Sequence, residues 1–226
     1  YLEEEYGTEA IERRGLKVIT TLDYELQQKA EDILETYGQE NAQRYNANNA
    51  ALVAVDPNSG KIRTMVASRD YGNDEIEGNF NPATALRQPG SAFKPFAYAT
   101  AFNEGYTDET VVFDLPTQFS NVCPSSQFSS QNNCFSPVNY DERFRGPISL
   151  RDALAQSVNV PSVKTLYLAG MEDSLETANN MGISTLEPQP DRYGLSLVLG
   201  SGEVTLLDIT SAYGVFANDG VKNPHV

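Results

Sequence analysis

The chain has 226 residues, of which 40% are hydrophobic and 21% charged, so it can bury a sizeable core. Its formal net charge of -15 would repel a phosphate backbone, and we expect no nucleic-acid partner. Two cysteines and one histidine, His225, are too few for a typical zinc site, so we expect no metal. A Ser-His-Asp triad would need that same terminal histidine, so any acyl-transfer chemistry must use another base.

The sequence contains no apolar run of the roughly 20 residues that a membrane helix needs. No signal peptide is visible either. The chain begins and stops in the middle of regular patterns, and we therefore expect it to be a segment of a longer protein.

The start of the chain predicts a helix, a strand and a second helix. Residues 1–15 are charged and favour a helix, and the β-prone run 16–22 favours a strand. Asp23 can cap a helix over residues 24–37, whose apolar positions recur at spacings of three and four. Gly38 is expected to end that helix.

Two β-rich runs, residues 50–55 and 61–68, flank the turn sequence Asp-Pro-Asn-Ser-Gly and predict a hairpin. Residues 69–88 and 106–148 are polar and are expected to be mostly irregular. A helix is predicted between them, over residues 91–103.

The last third of the chain predicts four helices. Ser149 can cap the first, and Pro161 suits the first turn of the second, which Gly170 should end. The other two cover residues 172–181 and 204–218. A sheet of so few strands packed against so many helices is unusual. This suggests that the remaining strands of the sheet lie beyond the 226 residues of this chain.

The first candidate for chemistry is the pair Ser91 and Lys94, in the sequence Ser-Ala-Phe-Lys directly after Pro89-Gly90. At a helix start, residues three apart share a face, so the Ser91 hydroxyl and the Lys94 amine can meet. Serine is a weak nucleophile until a base takes its proton, and lysine can be that base when burial lowers its pKa. The alternative interpretation is a capping serine beside a surface lysine.

The second candidate is Ser157-Val158-Asn159. Residues two apart share one side of an extended segment, and Val160 is biased towards extended geometry because it precedes Pro161. We expect Ser157 and Asn159 to face a cleft together, where Ser157 relays a proton and Asn159 holds a substrate amide. Ordinary turn residues between two helices are the alternative interpretation.

Together, the two motifs and their surroundings resemble class A penicillin-binding proteins. Residues 87–95 are similar to the nucleophile motif of that family, and Ser157-Val158-Asn159 occupies the place of its Ser-x-Asn motif. Three more stretches resemble the linker before the family's transpeptidase domain, its first hairpin and a segment after Ser-x-Asn, and they cover residues 15–27, 54–62 and 199–205.

The resemblance implies the α+β fold of β-lactamases and transpeptidases, in a truncated form whose later sheet strands are missing. Residues 1–45 would form a linker or pedestal. Residues 46–226 would form the N-terminal portion of the transpeptidase domain, with its first hairpin and its helical subdomain.

The activity that the resemblance implies is peptidoglycan D,D-transpeptidation. Ser91 would attack the penultimate D-Ala carbonyl of a stem peptide ending in D-Ala-D-Ala, with Lys94 as its base, and an amine would then resolve the acyl-enzyme. β-Lactams would acylate the same serine, and no organic cofactor is required. The parent protein would act outside the cytoplasm, held by a membrane anchor that this chain lacks, and would also carry a glycosyltransferase domain.

The sequence departs from the family in one motif, because Lys-Thr/Ser-Gly is absent. Lys164-Thr165-Leu166 lacks the glycine and favours a helix. We therefore expect the chain alone to be acylated only slowly. A D,D-carboxypeptidase, a serine β-lactamase and a non-catalytic penicillin-binding sensor module remain alternatives, although the linker-like segment argues against the β-lactamase.

Cys123 and Cys134 lie eleven residues apart in a polar loop that can bury little apolar surface. We expect a disulfide between them, which would suit an extracytoplasmic compartment. Two free thiols are the alternative.

Overall fold

The computed structural model describes residues 2–13, 16–128, 130 and 133–226, so residues 1, 14 and 15 of the first predicted helix lie outside the described residues. The described residues form nine α-helices: α1 Leu2–Tyr6, α2 Thr8–Arg13, α3 Tyr24–Tyr45, α4 Lys94–Asn103, α5 Leu150–Ala155, α6 Asn159–Ala169, α7 Met171–Met181, α8 Pro190–Tyr193 and α9 Leu206–Ala217. Two antiparallel hairpins accompany them: β1 Leu52–Val55 with β2 Ile62–Val66, and β3 Val111–Asp114 with β4 Gly146–Ser149. Short 3₁₀ helices cover Asp74–Ile76, Gly90–Phe93 and Gly194–Leu199.

The start of the chain is helical, as predicted, although Gly7 divides it into the two short helices α1 and α2. The strand predicted over residues 16–22 is wrong. These residues have no regular structure. Val18 and Ile19 are 54% and 82% exposed, so these consecutive apolar side chains do not alternate between a buried and an open face. The segment reaches the edge of β2 only near its end, where the Thr21 hydroxyl donates to the Ile62 carbonyl at 2.8 Å.

Helix α3 begins at its predicted cap but runs past its predicted end. The Asp23 side chain accepts a hydrogen bond from a first-turn N–H at 3.1 Å. A Cβ on Gly38 would lie 2.4 Å from the Arg69 side chain, so this glycine makes room for an arginine rather than ending the helix. Asn46, in the left-handed conformation with φ of 54°, ends α3 after Tyr45.

The predicted first hairpin is present. The Asp56 carboxylate accepts hydrogen bonds from the Asn58 N–H (3.0 Å) and the Ser59 hydroxyl (2.8 Å), which shapes the turn. Gly60 closes that turn with φ of 71°. The two strands then pair in antiparallel fashion, from Val55 opposite Ile62 beside the turn to Leu52 opposite Val66 at the far end.

The outer edge of β2, away from β1, is closed by neighbouring segments. The Gln27 side chain of α3 donates to the Met65 carbonyl (3.2 Å) and accepts from the Met65 N–H (3.0 Å), as a paired strand residue would. Further backbone hydrogen bonds reach the same edge, from the Asp23 N–H to Arg63 (2.8 Å) and from the Ile62 N–H to Val226 (3.0 Å).

The main core lies in the helical part. It joins α4, α6, α7 and α9, and its fully buried members include Phe93, Phe96, Val163, Leu166 and Leu197. A second cluster packs α4 against the β3–β4 hairpin, and a small third cluster packs α3 on β2. Helix α9 contacts β1, so the first hairpin is fixed to the helical layer that carries both candidate motifs.

The helices predicted in the last third are all present. The Ser149 hydroxyl accepts from the Asp152 N–H (3.1 Å) at the start of α5. Pro161 lies in the first turn of α6, which Gly170 ends with φ of 88°. Helices α7 and α9 match the other two predictions closely. None of the described helices is long and apolar enough to cross a membrane.

The second hairpin is not predicted by the sequence, which indicates mostly irregular structure there. Strand β4 begins with Gly146-Pro147, a dipeptide that usually marks a turn. Its pairing with β3 is favoured instead by burial, because Val112 and Ile148 lie opposite each other and are 6% and 8% exposed. Tertiary packing therefore overrides the local preference.

The long loop between β3 and β4 contains a disulfide. Cys123 and Cys134 are joined with their sulfur atoms 2.07 Å apart. The rings of Phe119 and Phe135 lie 6.0 Å apart across the same loop and pack on the main core. The loop is thus held by apolar contacts as well as by the disulfide.

Candidate active site

Ser91 lies on the 3₁₀ helix Gly90–Phe93, which leads directly into α4. Gly90 has φ of 58°, a left-handed conformation that glycine adopts without steric cost. Ser91 is exposed, whereas Phe93 and Lys94 are buried. The turn therefore leaves the serine accessible and directs the lysine to the interior.

Lys94 is 1% exposed and is held by three hydrogen bonds. Its Nζ donates to the Ser157 carbonyl (2.7 Å), the Ser157 hydroxyl (3.1 Å) and the Asn159 Oδ1 (2.8 Å). Burial lowers the pKa of Lys94 to about 8, because the charged amine is taken away from water. A lysine in this state can lose its proton near neutral pH.

The structure brings three of the four predicted site residues together. Lys94, Ser157 and Asn159 are in direct contact, while no hydrogen bond within the described ranges joins Ser91 to Lys94. An ammonium group has three donors and no acceptor, and all three donors are used. Lys94 must therefore lose a proton and exchange one of these contacts before it can accept a proton from Ser91.

The backbone geometry expected for the second motif is wrong, although its two polar residues do meet. Ser157 adopts a left-handed conformation with φ of 53°, and Val158 alone is extended. Asn159 begins α6, and Val160 is helical despite preceding Pro161. The left-handed turn between α5 and α6, rather than an extended segment, lets both oxygens of Ser157 reach Lys94.

The turn that carries Ser91 is held by hydrogen bonds from α9 and from the segment just before it. Arg87 and Val204 exchange both backbone hydrogen bonds at 2.9 Å. The Tyr213 hydroxyl, on α9, donates to the carbonyl of Ala92 at 2.8 Å. These contacts fix the backbone on both sides of the serine without touching its side chain.

Gly200 lies against Gly90 at a distance that no larger residue would permit. A Cβ on Gly200 would lie 2.1 Å from the backbone nitrogen of Gly90, and its φ is 86°. Sequence reasoning singled out this stretch by its resemblance to the family but did not identify this contact. A glycine at the site of close approach is the signal that could have found it.

An apolar cavity of about 310 Å³ opens beside the Ser91 turn. Its walls include Pro89, Ala92, Val204 and Ile209. Arg87 and Gln88 also line this cavity, whereas Ser91 itself does not. Within the described residues, no group of three or more His, Cys, Asp and Glu side chains could hold a metal ion.

Lys164 and Thr165 have structural contacts, as expected for a sequence that lacks the third motif. Both lie in α6. The Lys164 amine donates to the Phe113 carbonyl at 2.5 Å, and the Thr165 hydroxyl donates to the Pro161 carbonyl at 2.9 Å.

The chain is similar to penicillin-binding proteins over most of its length. Residues 50–225 match the family model for the penicillin binding protein transpeptidase domain. The chain is 36% identical over 173 residues to penicillin-binding protein 1A of Neisseria lactamica, and 39% identical over 176 residues to that of Aquifex aeolicus. Each match covers 76% of this chain but only 20% and 22% of those relatives. The chain thus spans about a fifth of the length of the curated relatives it matches.

Solved structures of such proteins share the fold. Penicillin-binding protein 1A from Haemophilus influenzae matches with a TM-score of 0.62 and 30% identity, over 78% of this chain and 26% of that one. PonA1 from Mycobacterium tuberculosis in complex with penicillin V matches with a TM-score of 0.80 and 23% identity, over 99% of this chain and 57% of that one. The α+β transpeptidase fold expected from the sequence, present in part, is confirmed.

Proposed function

Because this chain belongs to the family of penicillin-binding protein transpeptidase domains, we propose that it carries the nucleophile and base of a peptidoglycan D,D-transpeptidase. One observation carries the proposal: Lys94 is buried and held by Ser157 and Asn159, one turn after the accessible Ser91. Burial of an amine is costly, and packing alone gives no reason to place one here. A base of lowered pKa beside a serine is what acyl transfer requires.

In the acylation step, the Ser91 Oγ attacks the penultimate D-Ala carbonyl of a stem peptide ending in D-Ala-D-Ala. Neutral Lys94 accepts the serine proton as the Oγ–C bond forms. The peptide C–N bond then breaks, and the Ser157 hydroxyl, 3.1 Å from Lys94 Nζ, passes the proton to the departing D-Ala nitrogen. The products are an ester on Ser91 and free D-Ala.

In the second step, an amine of a neighbouring stem peptide attacks this ester. The amine loses a proton through the same Lys94 and Ser157 groups, and Ser91 recovers its hydroxyl as the new peptide bond forms. Asn159 Oδ1 uses one lone pair for Lys94, and its second lone pair can accept a substrate amide N–H. This supports the substrate-binding role that the resemblance implies for Asn159.

β-Lactams are the proposed inhibitors of this site. PonA1, which shares the fold, is described in complex with penicillin V, and the same ligand class at Ser91 would form a stable ester. We place the reaction outside the cytoplasm, where peptidoglycan is built and where disulfides persist. A full-length protein as long as the relatives would have room for a glycosyltransferase domain and a membrane anchor. In such a protein, residues 1–45 would be the linker before the transpeptidase domain.

The chain alone is proposed to be a poor transpeptidase. Its residues contain no Lys-Thr/Ser-Gly sequence, which in this family supplies a cation, a hydroxyl and an oxyanion-hole N–H. Loss of one oxyanion donor typically slows catalysis by about 10²–10³. We therefore expect the 226 residues by themselves to be acylated at least that much more slowly than the full-length protein.

Two assays test the proposal. Fluorescent penicillin should label the full-length protein at Ser91, as located by peptide mass spectrometry, and the chain alone should be labelled far more slowly. A pentapeptide substrate with a D-amino-acid acceptor should then yield exchanged product. Hydrolysis of the pentapeptide without exchange would indicate a D,D-carboxypeptidase, and rapid hydrolysis of penicillin would indicate a β-lactamase. Labelling by penicillin without turnover of any substrate would indicate a sensor module. Labelling elsewhere than at Ser91 would contradict the assignment.

A further inference from the structure

Asn139 lies at the end of the disulfide-bearing loop, and its side chain is buried, with 3% of the residue exposed. Its Oδ1 accepts hydrogen bonds from the backbone N–H groups of Asn159 (3.0 Å) and Val160 (3.3 Å), at the start of α6. Its Nδ2 donates to both oxygens of Asp114 at 2.9 Å and to the Arg143 carbonyl at 2.7 Å. Both polar atoms of the side chain are therefore fully used.

Asp114 determines which way the Asn139 amide faces. An ionised carboxylate only accepts hydrogen bonds, so it must meet the amide nitrogen, and the amide oxygen then faces α6. Asp114 is completely buried, and it is paired with the Arg145 N–H (2.9 Å) and the Arg145 guanidinium (3.7 Å). A buried carboxylate thus supports the orientation of a buried amide.

Asn159 is fixed by residues 138 and 139 at two points. The Val138 carbonyl accepts from Asn159 Nδ2 at 2.8 Å, which turns Asn159 Oδ1 towards Lys94 Nζ. The Asn139 side chain holds the Asn159 backbone N–H. A continuous series of hydrogen bonds therefore leads from Asp114 through Asn139 and Asn159 to Lys94.

We propose that Asn139, oriented by Asp114, is a positioning residue for the Lys94 amine. Asn139 does not touch Lys94, but it sets the place at which the Asn159 oxygen meets that amine. Its effect on acylation rests on the function proposed above, whereas its effect on the protonation of Lys94 does not.

The expected response of Lys94 has a definite sign. The Asn159 oxygen accepts a hydrogen bond from the ammonium and so favours its charged form. If Asn159 loses its anchor, that acceptor moves away while the burial remains, and the pKa of Lys94 should fall further. The charged groups next to Asp114 are Arg145 and Lys164, and within the described residues neither forms a hydrogen bond with Lys94.

The experiment measures the titration of Lys94 in the full-length protein by trace acetylation of amines across a pH series, followed by mass spectrometry. Asn139→Ala and the nearly isosteric Asp114→Asn should each move the midpoint for Lys94 to lower pH by about half a unit or more. At pH 9, where most of Lys94 is already neutral, the rate of penicillin acylation per folded molecule should fall at least about tenfold in the same variants.

Two further variants sharpen the result. In the exchange Asp114→Asn with Asn139→Asp, amide and carboxylate trade places and can again pair, but a carboxylate at position 139 cannot donate to the Arg143 carbonyl. The midpoint and the rate should therefore recover in part. Asn179→Ala is the matched control, because Asn179 also ties a helix to a loop, through the Leu186 carbonyl at 3.3 Å, without a link to Lys94. It should change neither the midpoint nor the rate per folded molecule.

A purely structural role for Asn139 would lower the folded fraction and leave the Lys94 midpoint unchanged. An unchanged midpoint in folded Asn139→Ala and Asp114→Asn protein would therefore overturn the proposal, whatever happens to the rate. Absence of Ser91 acylation in the unaltered protein would instead refute the proposed function, and the titration of Lys94 would still decide the role of Asn139.

Discussion

The lysine side and the serine side of the candidate site are built in different ways. Lys94 is buried and held by polar side chains, through Ser157 and Asn159. Ser91 is exposed, and the contacts on either side of it are made to backbone atoms, such as the close approach of Gly200 to Gly90 and the hydrogen bond from Tyr213 to the Ala92 carbonyl. The groups that handle the proton are therefore fixed by hydrogen bonds, while the nucleophile is placed by the course of the chain and left free to meet a substrate.

The largest expected effect comes from the serine side. Ser91→Ala should abolish covalent labelling of the full-length protein by penicillin, because the attacking oxygen is removed. Intact-mass measurement after incubation with the antibiotic reads the result directly. Any labelling that remains in this variant would show that the nucleophile is a residue other than Ser91.

On the lysine side, Lys94→Ala should slow acylation by about 10²–10⁴, the usual range for losing a positioned base. Ser91 would remain in place, so slow labelling at that residue should persist, as measured by stopped-flow or gel-based assays. Lys29→Ala is a suitable control, since Lys29 is an exposed lysine on α3, a helix that carries none of the candidate site residues. Equal loss in both variants would argue against a special role for Lys94.

Gly200→Ala tests whether backbone contact alone positions the serine. The added methyl group would lie 2.1 Å from Gly90, so the turn must shift, and a shift of about 1 Å can cost about 10² in rate. Gly220→Ala is the matched control, because Gly220 also has a positive φ of 83° but its Cβ would meet nothing within 4 Å. If both variants acylate at the same rate per folded molecule, the contact between Gly200 and Gly90 is not important for catalysis.

The pH dependence of the acylation rate should follow the protonation of the Lys94 amine. With a pKa of about 8, about a tenth of Lys94 is neutral at pH 7 and about nine tenths at pH 9. Because the neutral amine is the base, the rate should rise about tenfold over this range and then level off. A rate that falls as the pH rises would mean that the charged amine is the active form.

The disulfide should have the smallest effect on the site. In the entropic model, closing a loop of this length adds roughly 2–3 kcal/mol, so Cys123→Ser with Cys134→Ser should lower thermal stability while acylation of the folded protein changes little. Thiol titration of the denatured, unreduced protein should find no free thiol. Two free thiols would show that the bond does not form in the protein as isolated.

The sequence predicts the lysine and serine motifs because each is local. Ser91 and Lys94 lie one turn apart, and Ser157 and Asn159 are separated by a single residue, so each motif can be found from its own residues and its resemblance to the family. That Lys94 contacts Ser157 and Asn159 is not predicted by spacing, because those residues lie 63 and 65 positions away. The turn from Asp56 to Gly60 likewise predicts the first hairpin from its own residues.

What the sequence does not predict depends on contacts between distant segments. The second hairpin pairs β3 with a strand that begins with Gly146-Pro147, and only burial against the helices favours it. Asn139 and Asp114 lie 25 residues apart, and in the sequence each is an ordinary polar residue within a stretch predicted to be mostly irregular. Their roles arise only when the folded chain brings them together at the start of α6.

The closed edge of β2 limits how this sheet can grow. Gln27 occupies both backbone groups of Met65, so a strand from any source can add to the sheet only beside β1, Leu52–Val55. Within the described residues, each copy of the chain therefore has at most one edge of this sheet beside which another strand could add. Two copies could pair through those edges, but the pair would have none left at this sheet, so strand addition there stops at a dimer and cannot propagate into a fibre.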